Sequence, residues 1–152
     1  MKRFLVFLIL SLIILDRFSK WLILNCPDLY QGGLIELKLF KNPNLYFISF
    51  NSTPLYFLIG VVMLLLLFLF FRSWQRKDFL LLVGFSLIIL GGLSNLLDRI
   101  IFGYVIDWLR VFFLPISIFN IADLMIVGGI ITLIGILIKN CYNKSKVGKI
   151  VK

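Results

Sequence analysis

The chain has 152 residues, of which 61% are hydrophobic and only 15% charged, against roughly 25% charged in an ordinary globular domain. Its net charge of +9 is carried without a single histidine, which removes the commonest metal ligand and the commonest general base. A mean hydropathy of +1.06, with the apolar residues gathered in long blocks, excludes a soluble fold, and no soluble module is left to bind nucleic acid.

Span 1 is predicted over about residues 4–24. Lys2 and Arg3 precede the run FLVFLILSLIIL, which begins like a secretory signal peptide. No small-x-small cleavage site follows, and Asn25 spoils LILNC as a lipobox, so the segment reads as an uncleaved span. Asp16-Arg17-Phe18-Ser19-Lys20 forms a polar cluster near its far end, before Trp21–Leu24 restores apolarity. In the long connector 25–53, Ile35-Glu36-Leu37-Lys38-Leu39 alternates with the period of a half-buried strand, between Gly32-Gly33 and Asn42-Pro43-Asn44. A small sheet on the membrane surface between spans 1 and 2 is therefore predicted. Thr53-Pro54 supplies an N-cap hydroxyl and a proline at the first helical position, and span 2 follows over about 54–71. Arg72, Arg76 and Lys77 fill a short loop. Span 3, about 79–97, carries Gly84, Gly91, Gly92 and Ser94, small residues that let membrane helices approach closely. A second connector, 98–118, leads to span 4 at about 120–138 and a basic tail, 139–152. The fold class is thus a membrane all-α four-helix bundle with a small sheet, and residues 1–152 form a single integral membrane domain.

Because four spans put the N-terminus, the 72–78 loop and the Lys-rich tail on one side, the positive-inside rule predicts that both termini are cytoplasmic. The two connectors then face outward, and Cys26 and Cys141 lie on opposite sides, which argues against a disulfide.

Only seven acids occur, and four of them, Asp16, Asp98, Asp107 and Asp123, fall at one membrane boundary in this topology. Each has an ordinary explanation. Asp16 and Lys20 are spaced as an i,i+4 ion pair; Asn120 and Asp123 are spaced as a helix cap; Asp107 has Arg110 nearby; and Asp98-Arg99 is a possible interfacial pair. Their convergence at one level argues for a site instead, since intramembrane acids are costly unless paired and are functional candidates by default. Without His, the strongest chemistry available is a carboxylate pair sharing one proton. The ionised member draws a proton from an attacking water while the protonated member donates to the carbonyl oxygen.

At these residues the sequence resembles the bacterial lipoprotein signal peptidase family, also called signal peptidase II. Asp16-Arg17-Phe18-Ser19-Lys20 is similar to D-x-x-[ST]-K, and Gly91 to Arg99 (GGLSNLLDR) to G-x-x-G-N-x-x-D-R with Ser94 in place of glycine. Val105-Ile106-Asp107-Trp108 resembles V-x-D-F, and Phe119-Asn120-Ile121-Ala122-Asp123 resembles F-N-x-A-D. The resemblance implies an aspartyl endopeptidase that removes signal peptides from diacylglyceryl-modified prolipoproteins just before the lipidated Cys. It implies Asp107 and Asp123 as the catalytic pair, with Asn95, Asp98, Arg99 and Asn120 surrounding them and Asp16 and Lys20 in the first-span cluster. It also implies a small extracytoplasmic sheet after span 1. The family's N-x-G-x-A-F loop is altered here to Asn42-Pro43-Asn44-Leu45-Tyr46-Phe47, which keeps Asn42 and Phe47.

The expected partners are lipid-modified prolipoproteins and membrane phospholipid, with no cofactor, no metal and no nucleic acid. A monomer in the bacterial inner membrane is the expected form. The rival reading is a small proton- or ion-conducting protein, which should carry polar residues at successive depths. Spans 2 and 4 offer almost none in their middles.

Overall fold

The structure is a computed structural model that describes residues 2–45, 48–49, 53–113 and 118–150. Four helices dominate it: α1 (Lys2–Asn25), α2 (Thr53–Gln75), α3 (Phe79–Phe102) and α4 (Ile121–Ile150). At 1.5 Å per residue each is long enough to cross a hydrocarbon core of about 30 Å. Residues 57–75, 79–102 and 121–143 are apolar enough to do so on composition alone. The fourth span, α1, carries Asp16, Arg17 and Lys20, and its charges are tolerated because they are turned into the bundle. Asp16 is 0% exposed and Lys20 2%. The lipid-facing surface is correspondingly apolar, with Phe7, Phe57, Leu64, Ile100 and Ile131 all well exposed.

The helices outrun the predicted spans. Asp98 lies four residues before the end of α3, and α4 continues through most of the basic segment that the sequence suggests as a tail. Charges do not stop a helix when they are paired inside the protein or lie beyond the membrane. The acid at the α2–α3 junction has a local job: Asp78 is the N-cap of α3 and accepts from the Leu81 N–H at 3.3 Å. Gly103 ends the same helix at φ +79°, where its N–H donates to the Arg99 carbonyl.

Packing between α3 and α4 is the most extensive helix contact. It rests on small residues, as the sequence suggests. A side chain at Gly84 would meet Leu133, one at Gly129 would meet the Gly84 carbonyl at 2.7 Å, and one at Gly91 would meet the Ala122 carbonyl at 2.5 Å.

The sheet is larger than the alternation at 35–39 suggests. Strands β1 (Asp28–Gln31) and β2 (Ile35–Asn42) come from the first connector, and β5 (Val105–Val111) and β6 (Ile118–Phe119) from the second. They form one antiparallel sheet in the order β1-β2-β5-β6, while β3 (Asn44–Leu45) and β4 (Ile48–Ser49) make a separate small pair. The β2–β5 register sets Phe40 opposite Asp107 and Asn42 opposite Val105, with a bulge between Leu37 and Phe40. That pairing brings the two connectors together over the ends of α1, α3 and α4. Tyr46 and Phe47, part of the altered loop, lie outside the described residues.

Candidate active site

The four acids singled out in the sequence do converge, in two linked layers. The deeper layer joins α1 to α3. Lys20 Nζ lies 3.1 Å from Asp16 Oδ2 and 2.7 Å from Asp98 Oδ2, while the Arg17 guanidinium lies 3.0 Å from Asp16 and 2.9 Å from Asp98. Ser94 Oγ donates to Asp16 Oδ2, and Lys20 also reaches Asn95 Oδ1 at 2.9 Å. Two cations and two carboxylates thus neutralise one another in a buried site, where an unpaired charge costs several kcal/mol. The i,i+4 pair of Asp16 and Lys20 exists, but as one edge of this cluster.

Asp16 has a second task. Its Oδ1 accepts the Ala122 N–H of α4 at 2.8 Å, so a side chain from α1 satisfies a donor that the first turn of α4 would otherwise leave free. Asp98 likewise reaches out of its helix: Oδ2 accepts the Ile106 N–H at 3.4 Å, next to Asp107 on β5. The pairing of Asp98 with Arg99 suggested by their adjacency does not form. Asp98 faces Arg17 and Lys20, and Arg99 donates to the Asn95 carbonyl at 3.3 Å.

The upper layer holds Asp107 and Asp123. Asp107, 2% exposed on β5, accepts from Asn42 Nδ2 at 2.9 Å on Oδ2 and from Asn120 Nδ2 at 2.7 Å on Oδ1. Arg110, the ordinary partner suggested by spacing, is instead paired with Glu36 across the sheet at 3.0 Å. Asp123, in the first turn of α4 and half-buried, accepts from Asn95 Nδ2 at 2.7 Å on Oδ1 and from the Asn120 N–H at 3.2 Å on Oδ2. Asn120 Oδ1 in turn accepts the Asp123 N–H at 2.9 Å, giving the reciprocal cap expected from the sequence.

The two asparagines have fixed orientations. Asn95 Oδ1 receives Lys20 and Asn120 (3.1 Å), so its amide nitrogen must face Asp123. Asn120 Oδ1 receives a backbone N–H, so its nitrogen must face Asp107. Asn120 therefore touches both carboxylates, one through its side chain and one through its backbone. Burial pushes the Asp107 carboxyl up from 3.8 to about 6, opposed by the Asn42 and Asn120 hydrogen bonds and reinforced by the negative charge of Asp123.

Eight of the nine site residues named from the sequence fall in these layers, Asn42 included, while the Arg99 guanidinium donates back to a carbonyl of its own helix. Arg17 and Ser94 belong with them. Each sits inside one of the sequence motifs, but only the contact between α1 and α3 gives it a role. Among the described residues, no three His, Cys, Asp or Glu side chains are grouped to hold a metal. Beside the site, a cavity of about 310 Å³ lies between α1 and the sheet, lined by Leu15, Phe18, Leu22, Leu37, Trp108 and Ile121 among others.

The class of protein that this fold and site define is a multi-pass membrane protein with two carboxylates, one buried and one half-buried, gathered at one end of its bundle. Residues 8–139 match the family model described as signal peptidase (SPase) II. A lipoprotein signal peptidase of Caldicellulosiruptor bescii is 32% identical over 136 residues, covering 87% of this chain and 89% of that protein. One from Streptococcus thermophilus is 34% identical over 139 residues, covering 86% and 90%. A solved bacterial membrane enzyme, determined by the in meso method at 2.3 Å resolution, has the same fold, with a TM-score of 0.74 at 23% identity over 92% of this chain and 90% of that one. The chain belongs to the signal peptidase II family, bacterial membrane peptidases of the aspartic type.

Proposed function

We propose that this protein removes the signal peptide from diacylglyceryl-modified prolipoproteins, cutting before the lipidated Cys, with Asp107 and Asp123 as its catalytic pair. The observation that carries the assignment is the double grip of Asn120, whose amide holds Asp107 and whose backbone N–H holds Asp123. A water lodged between the carboxylates gives a proton to the ionised member as its oxygen attacks the scissile carbonyl carbon. The protonated member donates to the carbonyl oxygen. Collapse of the tetrahedral intermediate returns a carbonyl, breaks the C–N bond and transfers a proton to the leaving amine. Asn42, Asn95 and Asn120 orient the carboxylates. Asp16, Lys20 and Asp98, with Arg17, hold α1, α3, α4 and β5 in the arrangement that the pair needs, and Arg99 steadies the α3 end of it. One chain supplies both carboxylates and their partners, which supports action as a monomer.

The basic segments at the opposite end of the bundle support an orientation with the site on the extracytoplasmic side and both termini cytoplasmic. The apolar cavity beside the site suits a greasy substrate segment. Ion conduction is disfavoured because Asp16, Asp98, Asp107 and Asp123 are concentrated at one end of the bundle, each paired with cations or amides.

The test is in vitro processing of a diacylated precursor. Asp107→Asn and Asp123→Asn each abolish cleavage while the protein still inserts and folds. Full activity in either variant refutes the pair.

A further inference from the structure

At the end of the bundle opposite the carboxylates, the helices leave a second apolar space, of about 460 Å³. That volume is within the range of small-molecule sites, roughly 300–1,000 Å³. It exists because, among the described residues, α1 packs on α3 and α4 rather than on α2. The N-terminal half of α1 and the C-terminal end of α2 therefore stand apart over the start of α3. Val6 lines it from α1, Phe70 and Trp74 from α2, and Val83 from α3. Lys77 lines it too, from the α2–α3 turn. The chain fixes it there in the tight α2–α3 turn, at a left-handed φ of +53° that a residue with a side chain seldom adopts. Arg3 lies one helical turn before Val6 on α1, on the same face by the i,i+3 rule, and is exposed. Trp74 is also largely exposed, an amphipathic ring of the kind that settles at headgroup level.

An apolar slot open to the bilayer, with cations at its headgroup end, has the charge and polarity of one ligand. We infer that this groove is a binding site for an anionic phospholipid, an acyl chain lying between α1 and α2 against α3 and the phosphate meeting Lys77 and Arg3. A zwitterionic lipid fits the slot but forgoes the net attraction, which near a surface is worth roughly a fivefold preference for each cation. The site is separate from the carboxylates and from the cavity beside them.

Trp74 is the one tryptophan of three at this end, so its fluorescence reads the groove once Trp21 and Trp108 are changed to Phe. The protein is reconstituted in phosphatidylcholine vesicles containing either dibrominated phosphatidylglycerol or dibrominated phosphatidylcholine, at equal bromine content. Phosphatidylglycerol is expected to quench Trp74 with an apparent affinity at least fivefold higher. Lys77→Gln and Arg3→Gln should each reduce that ratio, and together bring it close to one. Val83→Phe, which takes up space in the groove without changing a charge, should also abolish it. Equal quenching by the two lipids overturns the proposal, as does a preference that survives Val83→Phe, since that would be surface charge alone. Quenching that depends on the protein-to-lipid ratio would mean that a second copy fills the groove, and overturns it too.

Discussion

Gly91 and Gly92 are neighbours on α3, yet the structure assigns them opposite tolerances. A methyl group added at Gly91 would lie 2.5 Å from the Ala122 carbonyl oxygen and 3.0 Å from Ile126 Cγ1, whereas one at Gly92 would meet only Met63 Sδ, at 3.6 Å. Close C···O contacts in proteins sit near 3.3 Å, so Gly91→Ala forces the start of α4 back by about 0.8 Å. The obstacle is backbone and cannot rotate away. Ala122 is the residue before Asp123, and its N–H is held by Asp16. The shift therefore moves one carboxylate of the pair while Asp107, on β5, stays. A misplacement of about 1 Å at reacting groups costs on the order of 10²-fold in rate. Overpacking adds roughly 1–3 kcal/mol of destabilisation. Steady-state cleavage of a diacylated precursor by detergent-purified variants, with thermal unfolding of the same samples, should give Gly91→Ala a kcat about 100-fold below that of the parent. Gly92→Ala should stay within about threefold. The reasoning is refuted if Gly91→Ala keeps a kcat near that of the parent, or if Gly92→Ala is impaired as much.

Four further outcomes follow from the hydrogen bonds and ion pairs of the site. Because Asp107 is pushed up to about 6, the proton shared by the pair is present below that pH and is lost above it, so kcat/KM should fall with unit slope as pH rises past about 6. The same shift makes the fold most stable where Asp107 is protonated: about 3 kcal/mol, fully present below pH 3.8, is lost as pH rises through about 6, and Asp107→Asn should flatten this part of a melting-temperature profile. Asn42→Ala removes a donor that holds the Asp107 charge, so the alkaline limb should move to higher pH as kcat drops; a limb that moves down refutes the role of Asn42. Lys20→Met leaves Asp16 and Asp98 facing each other with only Arg17 between them, and should cost about 3–5 kcal/mol by thermal unfolding as well as activity.

What could be read in advance divides along physical lines. The lipid-facing blocks of α2, α3 and α4 announce themselves because a bilayer demands some 20 apolar residues in a row. The reciprocal cap of Asn120 and Asp123 was legible because its partners are three residues apart. Strand β2 showed its alternation only over residues 35–39, since the bulge after Leu37 breaks the period before Asn42. Its pairing with β5 joins segments about 70 residues apart, and no local pattern specifies that register. Arg17 illustrates the same limit. Beside Asp16 it reads as one more charge of a cluster, and its second carboxylate, Asp98, is supplied by another helix. Asp98 and Arg99 misled in the opposite direction, because adjacency on a helix does not aim two side chains at each other.

The charge cluster between α1 and α3 also bears on how the protein is made. Asp16, Arg17 and Lys20 enter the membrane before Asp98 has been synthesised, and each charge in an isolated span costs up to about 3 kcal/mol, less toward the span's end than at its centre. On its own α1 is a poor occupant of lipid, held by its apolar flanks and the Asp16–Lys20 pair. When α3 arrives, Asp98 completes a set of two acids and two bases that sums to zero. The first helix to be inserted is thus the last to become comfortable, and a nascent chain that stalls before residue 98 presents an unmatched cation to any quality-control protease that scans the bilayer.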